Sequence, residues 1–495
     1  WEYLLIVSVL LICVWCALKF RIVYQRNQQL SRVLPIEGKI PWLFGGRAIH
    51  ILRKVFQGRK GLVSILPETL ELTKKHGPIF VSFVGWVPFV AVQGGTLMRQ
   101  VCKGTDGIEY KKNFGYDVSR PLLGYSLLIS SGNFWKHQRK ILDTGFTFKI
   151  LQQASSIITQ LCIDRFNTWK ESARKNNNIL ELDVFPEMLN LTADAIGLYT
   201  FSRPFQGELS KSFSVVLSML GWKIWEQSVI PFWKYVPSPA NVRYWYHLWY
   251  LRNSIAKIIK KRMNMPLNER EKYNDVLSMM FDKMNPQELS MSESQLRDEC
   301  VGLAFAGHDT TASTISWILY LLGKHPKVQS QLREEIINVL GDNQDIPSLQ
   351  DLEKLKYCTS IIKETLRLYP PAAIGRTAII PTTIGEYSIP AGSEIFLNIH
   401  AMHRNPEVWG ETSDKFIADR FMNNLPEEQA NNYLPFGGAP RTCIGMRLAM
   451  IEMKIILWRI LICSSISIPL GKEEPQLLPE ITLHPTRVFC GFNFF

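Results

Sequence analysis

Pro435-Phe436-Gly437-Gly438-Ala439-Pro440-Arg441-Thr442-Cys443-Ile444-Gly445 is the stretch on which the fold turns. Its glycines and prolines make a constrained loop, and the run from Met446 to Lys454 has helical spacing. Cys443 therefore stands at the start of an amphipathic helix, where backbone N–H groups and the helix dipole favour a thiolate over a thiol. No second Cys or His stands near it. A lone thiolate on a tight loop suits an axial ligand of haem iron better than a zinc site. Gly445 would let a flat macrocycle lie against the helix, and Arg441 is placed to meet a propionate. The competing reading, a buried inert cysteine, does not account for the loop around it.

The loop resembles the haem-binding segment of the cytochrome P450 superfamily, F-x-x-G-x-R-x-C-x-G, with Phe436, Arg441, Cys443 and Gly445 matching. Ala439 stands where that pattern carries glycine. If the position needs a positive φ, alanine costs about 1 kcal/mol there. Three more motifs fall in the superfamily's order. Glu364 and Arg367, in Lys363-Glu364-Thr365-Leu366-Arg367, share a helix face and can pair. The resemblance adds Arg420, in Ala418-Asp419-Arg420-Phe421, as a third member that holds the proximal side of the haem. Ala306-Gly307-His308-Asp309-Thr310-Thr311 lies near the middle of a long helical pattern running from about Ser294 to Lys324 and ended by Pro326. Gly307 is expected to open a groove for a diatomic ligand, with the Thr310 hydroxyl beside it and Asp309 relaying protons through water. A threonine inside a helix also commonly bonds back to the preceding turn. His308 is expected to pack or face solvent rather than bind metal. Trp135 and Arg139 lie four apart on one helix face; the resemblance implies that they, with Arg376, reach the haem propionates.

Chain length and composition agree with this. The 495 residues are 46% hydrophobic and 20% charged, which excludes a mainly disordered chain. Fifty-six Lys and Arg against 44 Asp and Glu give a net charge of +12, dispersed along the chain, with no nucleic-acid-binding motif. Nine scattered cysteines suit a reducing compartment. Tyr3 to Leu18 is almost wholly apolar, and Lys19, Arg21 and Arg26 follow. Residues 1–20 therefore read as an uncleaved transmembrane anchor, with the rest of the chain in the cytosol by the positive-inside rule. Residues 21–46 read as a basic stop segment and a hinge made by Pro35, Gly38, Pro41, Gly45 and Gly46. Residues 47–495 read as one haem-thiolate catalytic domain, mainly α with small β-sheets (α+β), the sheets expected near 79–93, 377–398 and 481–495. Polar stretches at 264–274 and 284–295 read as surface connections.

The resemblance implies the cytochrome P450 fold, a triangular helical domain with a long central helix over the haem. It implies haem b (iron protoporphyrin IX), and a membrane-bound monooxygenase at the endoplasmic reticulum. No flavin or dinucleotide fingerprint is present, so electrons would come from NADPH through an NADPH-cytochrome P450 reductase, with cytochrome b5 as a further partner. A basic face of Lys136, Lys140, Arg441 and Arg447 would receive it. Three stretches, Ala306 to Pro326, Ile362 to Pro371 and His403 to Trp409, look closest to the fatty-acid ω-hydroxylases. That branch often carries a glutamate esterified to haem where this chain has Ala306, so the haem is expected to be held noncovalently. Substrate would be a small apolar lipid: a fatty acid, terpenoid or sterol. Phe114, Leu123, Phe305, Ala306, Ala373, Ile374 and Val488 fall where the superfamily lines its pocket. Aromatic residues over 213–250 fit either a membrane-facing cap or a helix-pair core. Two other readings stay open: a haem-thiolate isomerase or dehydratase acting on pre-oxidised lipid, and a non-catalytic haem sensor.

Overall fold

The computed structural model describes residues 21–22, 24–26, 28–35, 65–84, 87–229, 233–282, 291–341 and 346–495. The expected anchor over 1–20 and the hinge residues from 36 to 46 lie outside them. Among the described residues no helix is long and apolar enough to cross a membrane. Leu30 and Leu34 are buried in one apolar cluster with Ile79, Val90 and Ile395, and the Val81 N–H donates to the Pro35 carbonyl at 2.9 Å. The packed domain thus begins ahead of the boundary expected at residue 47.

Eight helices shape the site: α1 (Gly132–Asp143), α2 (Phe148–Arg174), α3 (Val184–Phe201), α4 (Glu208–Val229), α5 (Pro239–Met263), α6 (Glu293–Lys324), α7 (Lys356–Leu368) and α8 (Met446–Cys463). α6 is 32 residues long. Ser292 and Gln295 start it as a capping box, each side chain accepting from the other's backbone N–H. The end of the polar stretch at 284–295 is therefore a helix start rather than a surface connection. Pro326 cannot continue the helix and opens the next one, Pro326–Leu340.

The strands in chain order are β1 (Ile79–Val84), β2 (Val87–Val92), β3 (Tyr110–Lys112), β4 (Ile179–Asp183), β5 (Ile374–Ala378), β6 (Thr382–Ile384), β7 (Tyr387–Ile389), β8 (Glu394–Leu397), β9 (Ser464–Ser467), β10 (Leu477–Pro479), β11 (Leu483–Pro485) and β12 (Phe489–Phe494). The largest sheet runs β1-β2-β8-β5-β3, with β2 and β8 parallel. A second sheet, β4-β12-β9, and two hairpins, β6-β7 and β10-β11, complete the set.

The core gathers around α6. From Asp298 to Leu322 every residue is buried except Ala306, Gly307, Asp309 and Thr310. A helix covered on all sides belongs to the centre of a large core, so a gap in its middle marks an interior space. Gly307 does not make that gap. A Cβ there would lie 2.8 Å from Ile196 Cδ1 of α3, so the glycine lets α3 and α6 close on each other. Beside it Thr192 Oγ1 donates to the His308 carbonyl at 2.9 Å. The groove expected at Gly307 is a helix contact instead, and Ala306 is the exposed residue of the four. On α5, Tyr244 and His247 turn into the core while Trp245, Tyr246 and Trp249 are exposed, so the aromatic stretch is two-faced.

The loop between Gly124 and Ser130 is clamped from two sides. Tyr125 N–H donates to Asp298 Oδ2 and Leu127 N–H to Glu299 Oε2, each at 2.9 Å, while Arg252 of α5 pairs with Asp298 at 2.6 Å. From the other side, Arg441 Nη2 donates to the Ser130 carbonyl at 2.6 Å. Burial pushes the Glu299 carboxyl up to about 8, against the Leu127 N–H that favours the anion. The folded protein then holds a proton that the unfolded chain releases above its ordinary value near 4.5, so stability falls as pH rises between the two values. Glu452, buried on α8 and also pushed up to about 8, adds to the same slope. Glu299→Gln should flatten the dependence and raise the unfolding midpoint more at about pH 8 than at about pH 5. Thermal unfolding at both pH values checks this; an unaltered slope would contradict it.

Candidate active site

The cysteine loop is closed by its own backbone. Cys443 N–H donates to the Phe436 carbonyl at 2.9 Å and Arg441 N–H to the Gly438 carbonyl at 3.0 Å. The left-handed residue is Gly437, at φ 75°. Ala439, which precedes Pro440 in a cis peptide, is not among the positive-φ residues, so the cost expected for alanine there does not arise. Phe436 is partly buried against the core. A Cβ on Gly445 would come into ordinary van der Waals contact with Phe146 Cε1 at 3.9 Å and Cys443 Sγ at 4.0 Å, so the glycine lies against the sulfur. Cys443 is exposed by accessible area. Yet burial pushes its thiol up, outweighing the Gly445 N–H and the nearby Arg139 guanidinium, which act the other way. Both observations fit a sulfur that opens into a recess crowded by protein rather than onto the outer surface.

Behind the loop lies a buried ion triad. Glu364 and Arg367 of α7 are both 0% exposed and pair through two bonds of 2.8 Å. Arg420 Nε donates to both Glu364 oxygens at 3.1 Å. Arg367 also donates to the His403 carbonyl at 2.9 Å, and His403 Nε2 accepts from Leu434 N–H at 2.9 Å. That bond requires a neutral His403; burial, with Arg367 beside it, pushes the imidazole down to about 3. One continuous set of bonds thus joins the triad to the residue before Pro435.

Arg441, Arg376 and Lys112 form a cation cluster at the other end of the loop. Arg441 pairs with Asp106 at 2.6 Å and lies 4.3 Å over the Trp135 ring. Its Nε is buried without a partner. Arg376 of β5 is 4% exposed and has no ion pair among the described residues. It stands directly opposite Lys112 of β3 in the antiparallel register. Like charges facing each other across a strand pair destabilise a sheet. Burial first, then the guanidinium groups of Arg376 and Arg441, push the Lys112 ammonium well below its ordinary value. Three cations meet one carboxylate, which leaves room for a doubly anionic partner. Lys112 and Asp106 were not found from the sequence. Neither sits in a motif, and only the β3–β5 pairing brings Lys112 to Arg376.

Arg139 goes elsewhere. Its Nε pairs with Asp143 at 2.8 Å and its Nη1 donates to the Thr442 carbonyl at 2.8 Å, so it braces the cysteine loop rather than joining the cation cluster. Arg441, with its side chain only 5% exposed, does not belong to a docking face; Lys136, Lys140 and Arg447 are exposed.

On α6, Thr310 Oγ1 donates to the Ala306 carbonyl at 2.8 Å. Asp309 is hydrogen-bonded to the Thr482 hydroxyl. His308 is buried edge-on to Phe213 and pushed down to about 4 by burial, so it packs as a neutral ring. Of the expected pocket residues, Ala306, Ala373 and Ile374 keep accessible surface, and Phe305 keeps 7%. Leu123 and Val488, at 1% and 0%, are sealed in the core and present no surface to a cavity. Phe114 opens the helix Phe114–Leu123, but its side chain lies outside the described part.

A family model described as Cytochrome P450 matches residues 46–491. The chain belongs to the cytochrome P450 family. Secologanin synthase 1 of Catharanthus roseus is 31% identical over 416 residues, 80% of this chain and 77% of that protein. Cytochrome P450 714B3 of Zea mays is 30% identical over 457 residues, covering 86% and 81%. Cytochrome P450 714C2 of Oryza sativa subsp. japonica is 29% identical over 498 residues, covering 94% and 92%. Membership makes this P450 an oxidoreductase, a haem-dependent monooxygenase, of a family that generally takes electrons from a redox partner. The residues present fit that cofactor: an uncovered sulfur on a closed loop, a residue without a side chain against it at Gly445, and a cation cluster short of anions.

Removing Arg367 from this P450 leaves the Glu364 carboxylate buried with Arg420 as its one remaining charged partner among the described residues, beside the Ile417 N–H. Arg367→Ala should cost about 3–5 kcal/mol in stability. Arg420→Ala, which spares the bidentate pair, should cost less. Denaturant unfolding of both variants, with haem content per chain, checks the order; equal losses would contradict it.

Proposed function

We propose that the protein is a haem-thiolate monooxygenase that inserts one oxygen atom of dioxygen into a small apolar lipid, by hydroxylation or epoxidation. The observation that carries this reading is the interior gap on α6, where Ala306, Asp309 and Thr310 alone interrupt a buried stretch together with Gly307. We take that gap and the Cys443 recess as the two walls of one cleft. Cys443 would ligate the iron, Phe436 and Gly445 would flank the macrocycle, and Arg441, Arg376 and Lys112, over Trp135, would hold its propionates. Arg139 would steady the loop through Thr442, and Glu364, Arg367 and Arg420 would fix the proximal side. Bound there, the haem supplies the iron that binds and cleaves dioxygen, a chemistry that thiolate ligation favours.

The chain's own residues then divide the proton work. Thr310 gives its hydroxyl hydrogen to Ala306, so it offers the gap a lone pair. It orders a water or a protonated group there. Asp309, one residue earlier and held from behind by Thr482, is the group that carries the proton. Ala306 has no carboxylate to esterify, so the haem is noncovalent. Apolar surface at Phe305, Ala373 and Ile374 suits a lipid chain, as does the resemblance of three stretches to the fatty-acid ω-hydroxylases.

Electrons would come from NADPH through a flavoprotein reductase, with cytochrome b5 as a second donor, docking at Lys136, Lys140 and Arg447. The anchor at 1–20, followed by the basic segment and hinge to residue 46, would hold the domain on the cytosolic side of the endoplasmic reticulum membrane. Asn190, exposed on α3 in the sequon Asn190-Leu191-Thr192, should then stay unglycosylated in microsomes.

The reduced protein under carbon monoxide should show the long-wavelength Soret band of thiolate ligation, and Cys443→His should lose it. A wild-type protein without that band would overturn the haem-thiolate assignment. Thr310→Ala should keep the band but lower product per NADPH by about tenfold while hydrogen peroxide rises.

A further inference from the structure

The hairpin β10-β11 lies against the long helix at the turn that carries Asp309. Ser313 Oγ, four residues along the same helix face, donates to the Leu483 carbonyl at 3.0 Å, and Asp309 takes the Thr482 hydroxyl. Thr482 immediately precedes β11, two residues before His484. His484 Nε2 lies 3.2 Å from Glu480 Oε2, its Nδ1 meets the Pro485 carbonyl at 3.0 Å, and its ring stacks on Phe185 of α3 at 5.2 Å. Glu480, His484 and Thr482 are all largely buried, and Glu480 Oε1 has no hydrogen-bond partner. A satisfied structural tie would need only the Thr482 and Ser313 bonds. A buried acid–imidazole pair with one unspent carboxylate oxygen, beside the acid of the oxygen site, is more than packing requires.

We propose that this hairpin positions Asp309: Thr482 fixes the carboxylate in one orientation, and the buried His484–Glu480 pair beside it sets the field in which that carboxylate sits. The proposal rests on the monooxygenase reading above. The titratable groups facing His484 are Glu480 on its own hairpin and Asp309 on α6. Both raise its affinity for a proton, and the net direction is upward although burial, the largest influence, acts downward.

Thr482→Val keeps the shape of the side chain and removes the hydroxyl. In haem-loaded protein that shows the thiolate carbonyl band, it should lower product per NADPH by roughly tenfold, below the effect of losing a general acid outright. Thr482→Ser should restore coupling. A readout independent of turnover is the pKa of 15N-labelled His484 by NMR in the diamagnetic carbonyl form; Asp309→Asn should lower it. If Thr482→Val couples like wild type, or the His484 pKa ignores Asp309→Asn, the hairpin is only a brace and the proposal falls. Loss of the carbonyl band in the wild type would instead sink the underlying monooxygenase reading.

Discussion

A helix as apolar and as long as α6 has to be covered on every side, and most of the fold is that cover. α3 closes on it through Gly307 and Ile196, and the β10-β11 hairpin is tied on through Asp309 and Ser313. The loop at 124–130 is drawn down by Asp298 and Glu299. What these elements leave uncovered in the middle of α6 is the stretch from Ala306 to Thr310, the place we propose for the chemistry.

The surroundings of that opening were legible from sequence to the degree that they are local. The tight cysteine loop is written in consecutive residues, and the α7 ion pair in a three-residue spacing. Arg420 sits 53 residues beyond Arg367 in the chain, and only the family pattern joined it to them before the bonds to Glu364 could be seen. The capping box at Ser292 is equally local, yet its polar composition reads as a surface connection.

What sequence missed depends on partners far along the chain. Lys112 acquires its meaning from Arg376 across a strand pairing, and Asp106 from Arg441. Gly307 looked like a vacancy because its neighbour Ile196, on another helix, could not be read beside it. Arg139 was assigned to the propionates, but an acid one turn on and a backbone carbonyl of the loop hold it instead. Leu123 and Val488 have pocket-like positions in the chain and core-like positions in space. Ala439 looked strained only while the left-handed turn was placed at the wrong residue; Gly437 carries it.

The facing pair Lys112 and Arg376 also bears on biogenesis. Two cations set against each other in a sheet are a local weakness until something neutralises them. If the propionates seat there as proposed, capturing the prosthetic group would be part of how the strand edge at 110–112 settles, and not a step added to a finished domain. A newly made chain waiting for its porphyrin would be least firmly knit at that edge, which is where quality-control proteases would find it first.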